Sequence, residues 1–433
     1  MNALSHLTNQ SASRTGPSDP FAWIATVLSV LGLVIAMGGS SWGALLFLAA
    51  WGAVVLARAD KCLRLVMRSP LLWLIPAIAL LSVIWSIAPE VSLRAAVQLA
   101  LTVSIASLSA AFLRPRDFVS AMSVSLLFGA IFSVLFGRYG TDGMTGERVF
   151  LGIFASKNTM ALFMSFLVIF ALAVVTDRGQ ALVLRMLAAM SFVLGVLLLL
   201  QARSVGAILT TVASLLVLFV VAGFARLHAR ARFVVLVTTA AFLLPCIALV
   251  ATLAVNGTLS HDISSFIVED LGKDTTLTGR TVLWQIALTE IAKRPLVGTG
   301  YYAFWMQGNL LAEAIWRSFS IETRMGFHFH NTFLEFAVEL GWLGLAALVA
   351  TMALAVERAL RHALWDRTQA TAALLAAIFC LATRTPAEVD APYPFALGTF
   401  LLFVVAAYGA DYVAARRPTV AVPTPPMPSA AIA

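Results

Sequence analysis

The side chains best suited to chemistry lie in one stretch, FHFHNTFLEFAVELGWLG at positions 327–344. His328 and His330 stand at its start, and histidine is the side chain best suited to take a proton near neutral pH. Carboxylates inside the apolar run that follows must face protein or a water-filled cavity rather than lipid. The stretch therefore predicts an acid–base site at the start of a buried helix. Three further polar residues recur there at helical spacing and share roughly one face: Asn331, Glu335 and Glu339.

The same His-x-His pattern is also half of a metal site. His261 is the one further histidine that we expect on the same side of the membrane, and no set of carboxylates has metal-ligand spacing. We therefore predict that the site holds no metal and no other cofactor. A structural histidine, hydrogen-bonded to its own loop, stays open as an alternative to the acid–base interpretation.

A second candidate is a single cation, Arg203, in the run LLLLQARSVGAIL. It stands between two apolar segments with almost no loop, and a charge so close to hydrocarbon is costly, so that it indicates a functional site by default. A guanidinium also matches a phosphate group with two parallel hydrogen bonds. Arg203 therefore predicts anion binding at the membrane edge.

The composition decides the class of protein that must position these residues. Apolar residues make up 61% of the chain and charged residues 12%, with a mean hydropathy of +0.93. A chain this apolar cannot cover itself with polar surface in water, and its apolar runs are unbroken, whereas the strands of a membrane barrel alternate. The net charge of +8 comes mostly from residues between apolar runs, so that topology explains it and no nucleic-acid partner is implied.

We therefore predict an all-α integral membrane protein with about 12 transmembrane helices in a lipid bilayer. Helices 1–9 occupy residues 21–254, helices 10–12 occupy residues 330–411, and a large, partly helical outward loop covers residues 255–329 between helices 9 and 10. The predicted spans lie near 21–38, 41–57, 70–87, 91–113, 117–136, 158–176, 181–200, 204–222, 231–254, 330–355, 369–385 and 392–411.

Basic residues give the orientation, because they fall in alternate short loops as the positive-inside rule requires. Both termini are then cytoplasmic, with tails at residues 1–20 and 412–433, and the second, Pro-rich tail is predicted to be disordered. The basic residues that set this orientation follow the even-numbered spans: Arg58, Lys61, Arg64, Arg68, Arg114, Arg116, Arg178, Arg185, Arg226, Arg230, Arg232, Arg358, Arg361, Arg367, Arg416 and Arg417.

The outward loop carries helical segments of its own. Apolar residues recur at helical spacing between Arg280 and Arg294, with Thr278 as the expected N-cap and Pro295 as the stop. A second, membrane-skimming segment is predicted by three bulky apolar residues: Ile315, Trp316 and Phe319.

Several basic residues lie on the outward side, where topology does not require them. A nearby acid or a lipid head group can explain each of these basic residues by itself. A cluster of arginines at the outward face of the membrane, however, suits a diphosphate on a lipid carrier. The outward basic residues are Arg138, Arg148, Lys157, Arg203, Arg280, Arg294, Arg317, Arg324 and Arg384.

On these motifs the chain resembles the O-antigen ligase and O-antigen polymerase superfamily, which includes exopolysaccharide polymerization proteins. The signature of that family fits His330-Asn331, nine residues, then Gly341-Trp342-Leu343-Gly344, at the end of the large outward loop. The spacing of the two glycines also suits the close approach of a neighbouring helix. Further matches are Thr278-Gly279-Arg280 followed by Trp284, the lone Arg203, and GIFASKN at 152–158, which is similar to the polymerization subgroup.

The resemblance implies a metal-independent, inverting glycosyltransferase on the periplasmic face of the bacterial inner membrane. Its donor is a glycan on undecaprenyl diphosphate, and its acceptor is a hydroxyl group of another glycan or of lipid A-core. Carried over to this sequence, His330 is the general base, and Arg203 and Arg280 bind the diphosphate. Arg324 and Lys157 are further candidates for that anion site. The supporting residues are Asn331, Glu335, His328, Gly341 and Gly344.

Two alternatives from other classes remain at this point. A secondary transporter or flippase of lipid-linked glycans also has many spans, but its polar residues line a central path, whereas here they cluster outward. A structural partner of another membrane enzyme is the second alternative, and it leaves His330 without a chemical task. Between the two enzyme activities, GIFASKN slightly favours a polymerase over a ligase.

Overall fold

The residues that the computed structural model describes are 19–67, 69–141, 148–226, 230–231, 279–319, 321, 324 and 327–415. The predicted ninth span from residue 232 onward, the loop residues 255–278 with His261 and Thr278, and most of both predicted tails lie outside them.

The described chain is mostly helical. Fourteen α-helices follow one another: α1 Pro20–Met37, α2 Ser41–Ala57, α3 Ala59–Val66, α4 Leu74–Leu81, α5 Pro89–Phe112, α6 Pro115–Phe136, α7 Lys157–Thr176, α8 Leu182–Gln201, α9 Val205–Arg226, α10 Arg280–Lys293, α11 Leu310–Ser318, α12 Thr332–Asp366, α13 Gln369–Arg384 and α14 Leu397–Ala415. Short 3₁₀ helices, Pro70–Trp73 and Ser82–Ile84, flank α4. Two strands, β1 Arg138–Thr141 and β2 Arg148–Gly152, connect α6 to α7.

Among the described residues, seven helices are long and apolar enough to cross a membrane, or eight if α2 and α3, bent by 116°, form one span. Every predicted span except the ninth contains a described helix. The chain is therefore a helical membrane protein, although the count of twelve spans stays a prediction. The last helix continues to Ala415, past the predicted end of its span at residue 411, and the bounds of the tail stay a prediction.

The predicted helical fold class is confirmed, with one short exception between α6 and α7 among the described residues. Strands β1 and β2 pair there as an antiparallel hairpin, in which Tyr139 lies opposite Phe150. Arg148 places its guanidinium over the Tyr139 ring at 5.2 Å from the ring centre, a cation–π contact. The period-two pattern over so few residues is too short to distinguish from a turn in the sequence.

The centre of the bundle is α7. It is the most enclosed of the candidate spans, because 78% of its most apolar 18-residue stretch is buried. It packs against α6, α8, α9 and α13. A helix that is apolar on all sides belongs in such a position. The outer ends of α8 and α9 then lie beside the start of α7, which is where Arg203 and Lys157 occur.

A sharp kink divides α12 at Gly341, whose backbone angles are φ 62° and ψ −162°. The segment that follows α10 inserts at this kink and bonds to α12. The Trp342 amide donates to the Pro295 carbonyl at 2.8 Å, and the Gly300 amide donates to the Glu339 carbonyl at 2.8 Å. The kinked helix therefore shares its backbone hydrogen bonds with the segment after α10, which fixes the two together.

The glycines of the motif serve this kink rather than the approach of another helix, so that part of the prediction is wrong. A Cβ atom on Gly341 would lie 2.3 Å from the Leu296 carbonyl carbon, in a loop. A Cβ atom on Gly344 would lie 2.1 Å from the Leu340 Cβ of its own helix, across the kink. Both positions are crowded because the backbone bends there.

Helices α10 and α11 form a small outer layer over the start of α12. The predicted helix at 280–294 is present, and its N-cap position is Gly279, with φ 81°. Ile315 and Trp316 on α11 are buried in a second apolar cluster with Phe304 and Phe329. The expectation that they skim the membrane is therefore wrong, because they pack against protein.

We expect Gly341→Ala to lower the free energy of unfolding by more than about 2 kcal/mol, since alanine is strained at this φ and its Cβ meets the inserted loop. Thermal unfolding of the detergent-purified protein measures the loss. Gly52→Ala on α2 is the matched control, because no atom lies within 4 Å of its added Cβ. An unfolding midpoint for Gly341→Ala equal to that of the control would contradict the structural account of the kink.

Candidate functional site

Phe329 is held through its carbonyl, its amide and its ring, and it lies between the two histidines. The Trp284 Nε1 of α10 donates to the Phe329 carbonyl at 3.0 Å, and the Phe329 amide donates to Glu335 Oε2 at 2.7 Å. The Phe329 ring lies in the outer apolar cluster, 5.0 Å from the Phe304 ring and 4.8 Å from the Trp305 ring, centre to centre. His328 and His330 flank this fixed residue, and the His330 ring lies 5.9 Å, centre to centre, from the Phe327 ring, which packs against the same cluster.

The two histidine rings meet edge to face, with their centres 4.2 Å apart. The His330 amide donates to His328 Nδ1 at 3.1 Å, so that Nδ1 of His328 is an acceptor and carries no proton. Burial and the neighbouring His330 lower the pKa of His328 to about 3, which keeps its ring neutral. His330 itself has φ 53°, a left-handed conformation of the kind that is concentrated at functional sites.

One carboxylate, Glu388, joins the candidate base to a candidate anion-binding arginine. The segment between α13 and α14 carries it, and its Oε1 accepts from Arg280 Nη2 at 2.8 Å and from Asn158 Nδ2 at 2.8 Å. Its Oε2 lies 3.5 Å from His330 Nδ1, at the outer limit of a hydrogen bond. All three partners are therefore within reach of one side chain.

Glu388 is ionised at physiological pH. Burial alone would raise the pKa of its carboxyl group, but the contact with His330 and the charge of Arg384 hold that pKa at about 2. A second carboxylate holds the segment in place, because Arg384 donates to Asp390 through both Nε, at 2.6 Å, and Nη2, at 3.4 Å. Thr332 adds a bond from its hydroxyl to the Glu388 carbonyl at 2.7 Å.

The turn that carries Arg203 connects to the same carboxylate. Ser204 donates its hydroxyl to Asn158 Oδ1 at 3.1 Å, and Asn158 in turn donates to Glu388. Arg203 has φ 50°, is exposed, and has no ion-pair partner among the residues described. Lys157 begins α7 directly before Asn158. The structure thus brings Arg203, Lys157, Arg280, His328 and His330 to one end of the bundle.

Arg324 is placed apart from these contacts. Its Nη1 lies 3.8 Å from Glu313 Oε2 on α11, and Arg317 approaches the same oxygen at 3.8 Å. Arg324 also has a left-handed backbone, with φ 47°. Its role in anion binding stays a prediction that none of these contacts supports.

The polar residues of the start of α12 hold the backbone of the site rather than the ring of His330. Asn331 is the N-cap of α12, and its Oδ1 accepts from the Phe333 and Leu334 amides at 3.0 and 3.1 Å. Glu335 uses its Oε1 for Trp305 Nε1, at 2.6 Å, and its Oε2 for the Phe329 amide. The expected helical face is present, and its oxygens are taken by structural donors.

Sequence reasoning missed Glu388, Asn158 and Ser204. Glu388 follows span 11 in a short loop, and an acid among so many outward arginines is the signal that could have identified it. Asn158 lies in the GIFASKN run and Ser204 directly follows Arg203, and neither has a pattern of its own that indicates a role. Their common contact joins three distant parts of the chain, which spacing along one sequence does not show.

Glu388 also places a carboxylate beside the two histidines, although it does not lie at metal-ligand spacing from them in the sequence. One ligand atom each from His328, His330 and Glu388 lies within 4.8 Å of the others. The hydrogen bonds argue against coordination, because Nδ1 of His328 already accepts the His330 amide, and that bond leaves the proton of the neutral ring on Nε2. Glu388 is moreover bound to the Arg280 guanidinium, whose charge repels a cation.

We accordingly expect the purified protein to contain no stoichiometric transition metal. Elemental analysis by inductively coupled plasma mass spectrometry, after purification without metal-affinity resin, measures the content. His328→Ala is the matched control and should leave the metal content unchanged. About one bound metal per chain that is lost in His328→Ala would contradict this assignment and restore the metal interpretation.

Comparison with known proteins agrees with the predicted resemblance. A family model described as O-antigen ligase matches residues 188–349, a range that includes Arg203, Arg280 and His330. The chain is also 30% identical over 401 residues to the exopolysaccharide production protein ExoQ of Rhizobium meliloti (strain 1021), and the alignment covers 92% of this chain and 90% of that protein. The similarity therefore extends over nearly the whole chain.

Proposed function

The chain belongs to the O-antigen ligase and O-antigen polymerase superfamily, and we propose that it transfers a glycan from undecaprenyl diphosphate to a sugar hydroxyl. One observation carries this proposal: a histidine and an arginine contact the same buried carboxylate, so that a proton acceptor lies directly beside a binding group for phosphate. Inverting glycosyl transfer from a diphosphate needs a base at the acceptor hydroxyl group and a cation at the leaving diphosphate, one on each side of the anomeric carbon.

In the proposed reaction the acceptor hydroxyl oxygen attacks the anomeric carbon of the donor sugar. The bond from that carbon to the diphosphate oxygen breaks, and the diphosphate leaves with the electron pair. His330 takes the proton of the attacking hydroxyl group through Nε2, because its Nδ1 faces Glu388. A single displacement of this kind inverts the configuration at the anomeric carbon.

The cations stabilise the negative charge that develops on the leaving diphosphate. Arg280 is the best placed of them, because its Nε is buried and has no hydrogen-bond partner among the described residues. Arg203 and Lys157 lie at the ends of the neighbouring helices and add positive charge at the same end of the bundle. With the leaving group neutralised in this way, the reaction needs no metal ion and no separate general acid.

The site lies at the end of the bundle opposite the basic loops that follow the even-numbered predicted spans. The starts of α7, α12 and α14 and the ends of α8 and α13 supply it. The positive-inside rule assigns that side to the periplasm in a bacterial inner membrane, with both termini in the cytoplasm. A lipid-linked donor would therefore reach the site along the outer leaflet.

We favour a polymerase of exopolysaccharide or O-antigen repeat units over a ligase. The relative matched along nearly its full length is described as an exopolysaccharide production protein, and Asn158 of the GIFASKN motif contacts Glu388 in the site. Reconstitution with an undecaprenyl-diphosphate glycan, offered either a second donor molecule or lipid A-core, distinguishes the two. Growth of the glycan chain indicates a polymerase, and glycosylated lipid A-core indicates a ligase.

We expect His330→Asn to reduce transfer in this assay by at least about 10²-fold, the usual contribution of a general base. Asparagine tolerates a left-handed backbone, so the variant removes the base while preserving the conformation at φ 53°. His362→Gln, which removes a histidine paired with Asp366 at the other end of α12, is the control and should keep its activity. Full activity of His330→Asn would refute the proposed mechanism.

We expect Arg280→Ala and Arg203→Ala each to lower kcat/KM for the donor by about 10–100-fold, the value of a charge-assisted hydrogen bond to phosphate. Arg280→Lys should restore activity only in part, because it keeps the charge and loses the planar fork. Arg317→Ala on α11 removes an exposed arginine and is the matched control. Equal losses in all three alanine variants would indicate a general effect of charge rather than a diphosphate site.

A further inference from the structure

Arg280 makes an incomplete contact with its carboxylate. The Nε and Nη2 groups of a guanidinium form one edge that can donate two parallel hydrogen bonds to a carboxylate or a phosphate. Arg280 uses only Nη2 of that edge, toward Glu388 Oε1, while its buried Nε has no acceptor among the described residues. The Asn158 amide shares the same oxygen.

Two other arginines in the chain show what a complete contact looks like. Arg384 donates to Asp390 through Nε and Nη2, and Arg116 does so to Asp177 at 2.7 and 3.2 Å. In both pairs each carboxylate oxygen accepts from a different donor of the edge. The Arg280 edge is therefore half used, although its surroundings exclude most of the solvent. A buried donor without an acceptor costs about 1–3 kcal/mol, which a bound anion would recover.

Glu388 is incomplete on its other side as well. Its Oε2 stands 3.5 Å from His330 Nδ1, whereas a good hydrogen bond of this type is about 2.8 Å. Its backbone is held by the Thr332 hydroxyl group and by the bond from its amide to the Arg384 carbonyl at 2.9 Å. A small rotation of the side chain, without movement of the segment, is enough to shorten the contact with His330.

We propose that Glu388 is a positioning residue that exchanges partners when the donor binds. Before binding it holds Arg280. The donor diphosphate then takes the Nε–Nη2 edge of Arg280, and the released carboxylate closes on His330 Nδ1. This inference rests on the proposed function, and it makes the base competent only after the leaving group is in place.

The exchange keeps protons and charges in balance. The ionised Glu388 accepts the Nδ1 proton of His330, which leaves Nε2 as the acceptor for the proton of the attacking hydroxyl group. After transfer, the histidine carries both protons and pairs with the carboxylate. When the diphosphate leaves, the imidazolium releases its Nε2 proton to water, and Glu388 returns to Arg280. Without a donor, the bond to Arg280 therefore holds Glu388 Oε2 at 3.5 Å from His330 Nδ1, too far for a good hydrogen bond.

The groups that face Glu388 come from every element packed around it. They are Arg280 of α10, Asn158 of α7, His328 and His330 before α12, and Arg384 of α13. Arg384 already uses its Nε–Nη2 edge on Asp390, so it is not the group that the diphosphate frees. Arg280 and His330 are left as the two partners between which the carboxylate can move.

The test separates donor binding from turnover with Glu388→Gln. An amide competes weakly for Arg280 and orients His330 poorly, so the exchange requires opposite effects on the two steps. We expect about tenfold tighter donor binding, the value of one charge-assisted hydrogen bond, together with a fall in kcat of about 10²-fold. Glu290→Gln on α10, the same substitution at a carboxylate paired with Lys293, is the matched control for both quantities.

Binding is measured by isothermal titration calorimetry with an undecaprenyl-diphosphate glycan, in the His330→Asn background so that no turnover occurs. Addition of Glu388→Gln to that background should lower the dissociation constant. Weaker binding together with lower kcat would show a structural role and would overturn the exchange, and so would an unchanged kcat. If the wild-type protein binds the donor but transfers it to no acceptor, the proposed function fails, while the binding comparison still tests the exchange.

Glu388→Asp is the second variant, in case Glu388→Gln does not fold. It keeps the charge of the segment, and its shorter side chain cannot reach Arg280 and His330 from the same backbone position. Donor binding should again tighten, by a smaller factor, while kcat falls. An increase in the dissociation constant for the donor would overturn the proposal in this variant too.

Discussion

A single ionised carboxylate, buried at one end of a helical bundle, sets the conditions for the rest of the site. Burial of the Glu388 charge is costly unless positive charges and hydrogen-bond donors surround it. Arg280, Asn158 and His330 meet that requirement, and they come from parts of the chain that are far apart in sequence. The need to compensate one charge therefore joins α7, α10, α12 and the segment before α14. It also leaves Arg280 with a donor to spare, which is the feature that an anion can use.

Backbone geometry then fixes where the base points. The kink at Gly341 accepts the inserted loop, which positions α10 over the start of α12. From α10, Trp284 holds the Phe329 carbonyl, and the Phe329 ring is buried, so that the residue directly before His330 is fixed. His330 is consequently held in a left-handed conformation that its neighbours impose. The packing around the kink thus fixes the position of the His330 imidazole. The motif glycines matter because they permit the bend in α12.

The sequence predicts most of the fold and only part of the site. Long apolar runs identify a helical membrane protein, and the His330-to-Gly344 spacing identifies the family, because both signals are local. The hairpin at β1 and β2, the kink, and the burial of Trp316 were not predicted, since each depends on contacts between distant segments. Glu388 was missed for the same reason. The roles of Arg203, Arg280, Lys157 and His330 stay predictions, which the geometry supports by bringing their elements together.

The most direct test of this mechanism is a cryo-EM structure with a donor analogue that cannot be transferred, an undecaprenyl diphosphonate glycan in which methylene groups replace both the oxygen on the anomeric carbon and the oxygen between the two phosphorus atoms. We expect the diphosphonate to bind to the Nε–Nη2 edge of Arg280, with the anomeric carbon of the donor sugar beside His330. We also expect the 2.8 Å contact between Arg280 Nη2 and Glu388 Oε1 to be broken. Glu388 should then lie at hydrogen-bond distance from His330 Nδ1. A diphosphonate bound elsewhere, with the Arg280–Glu388 contact intact, would contradict this mechanism.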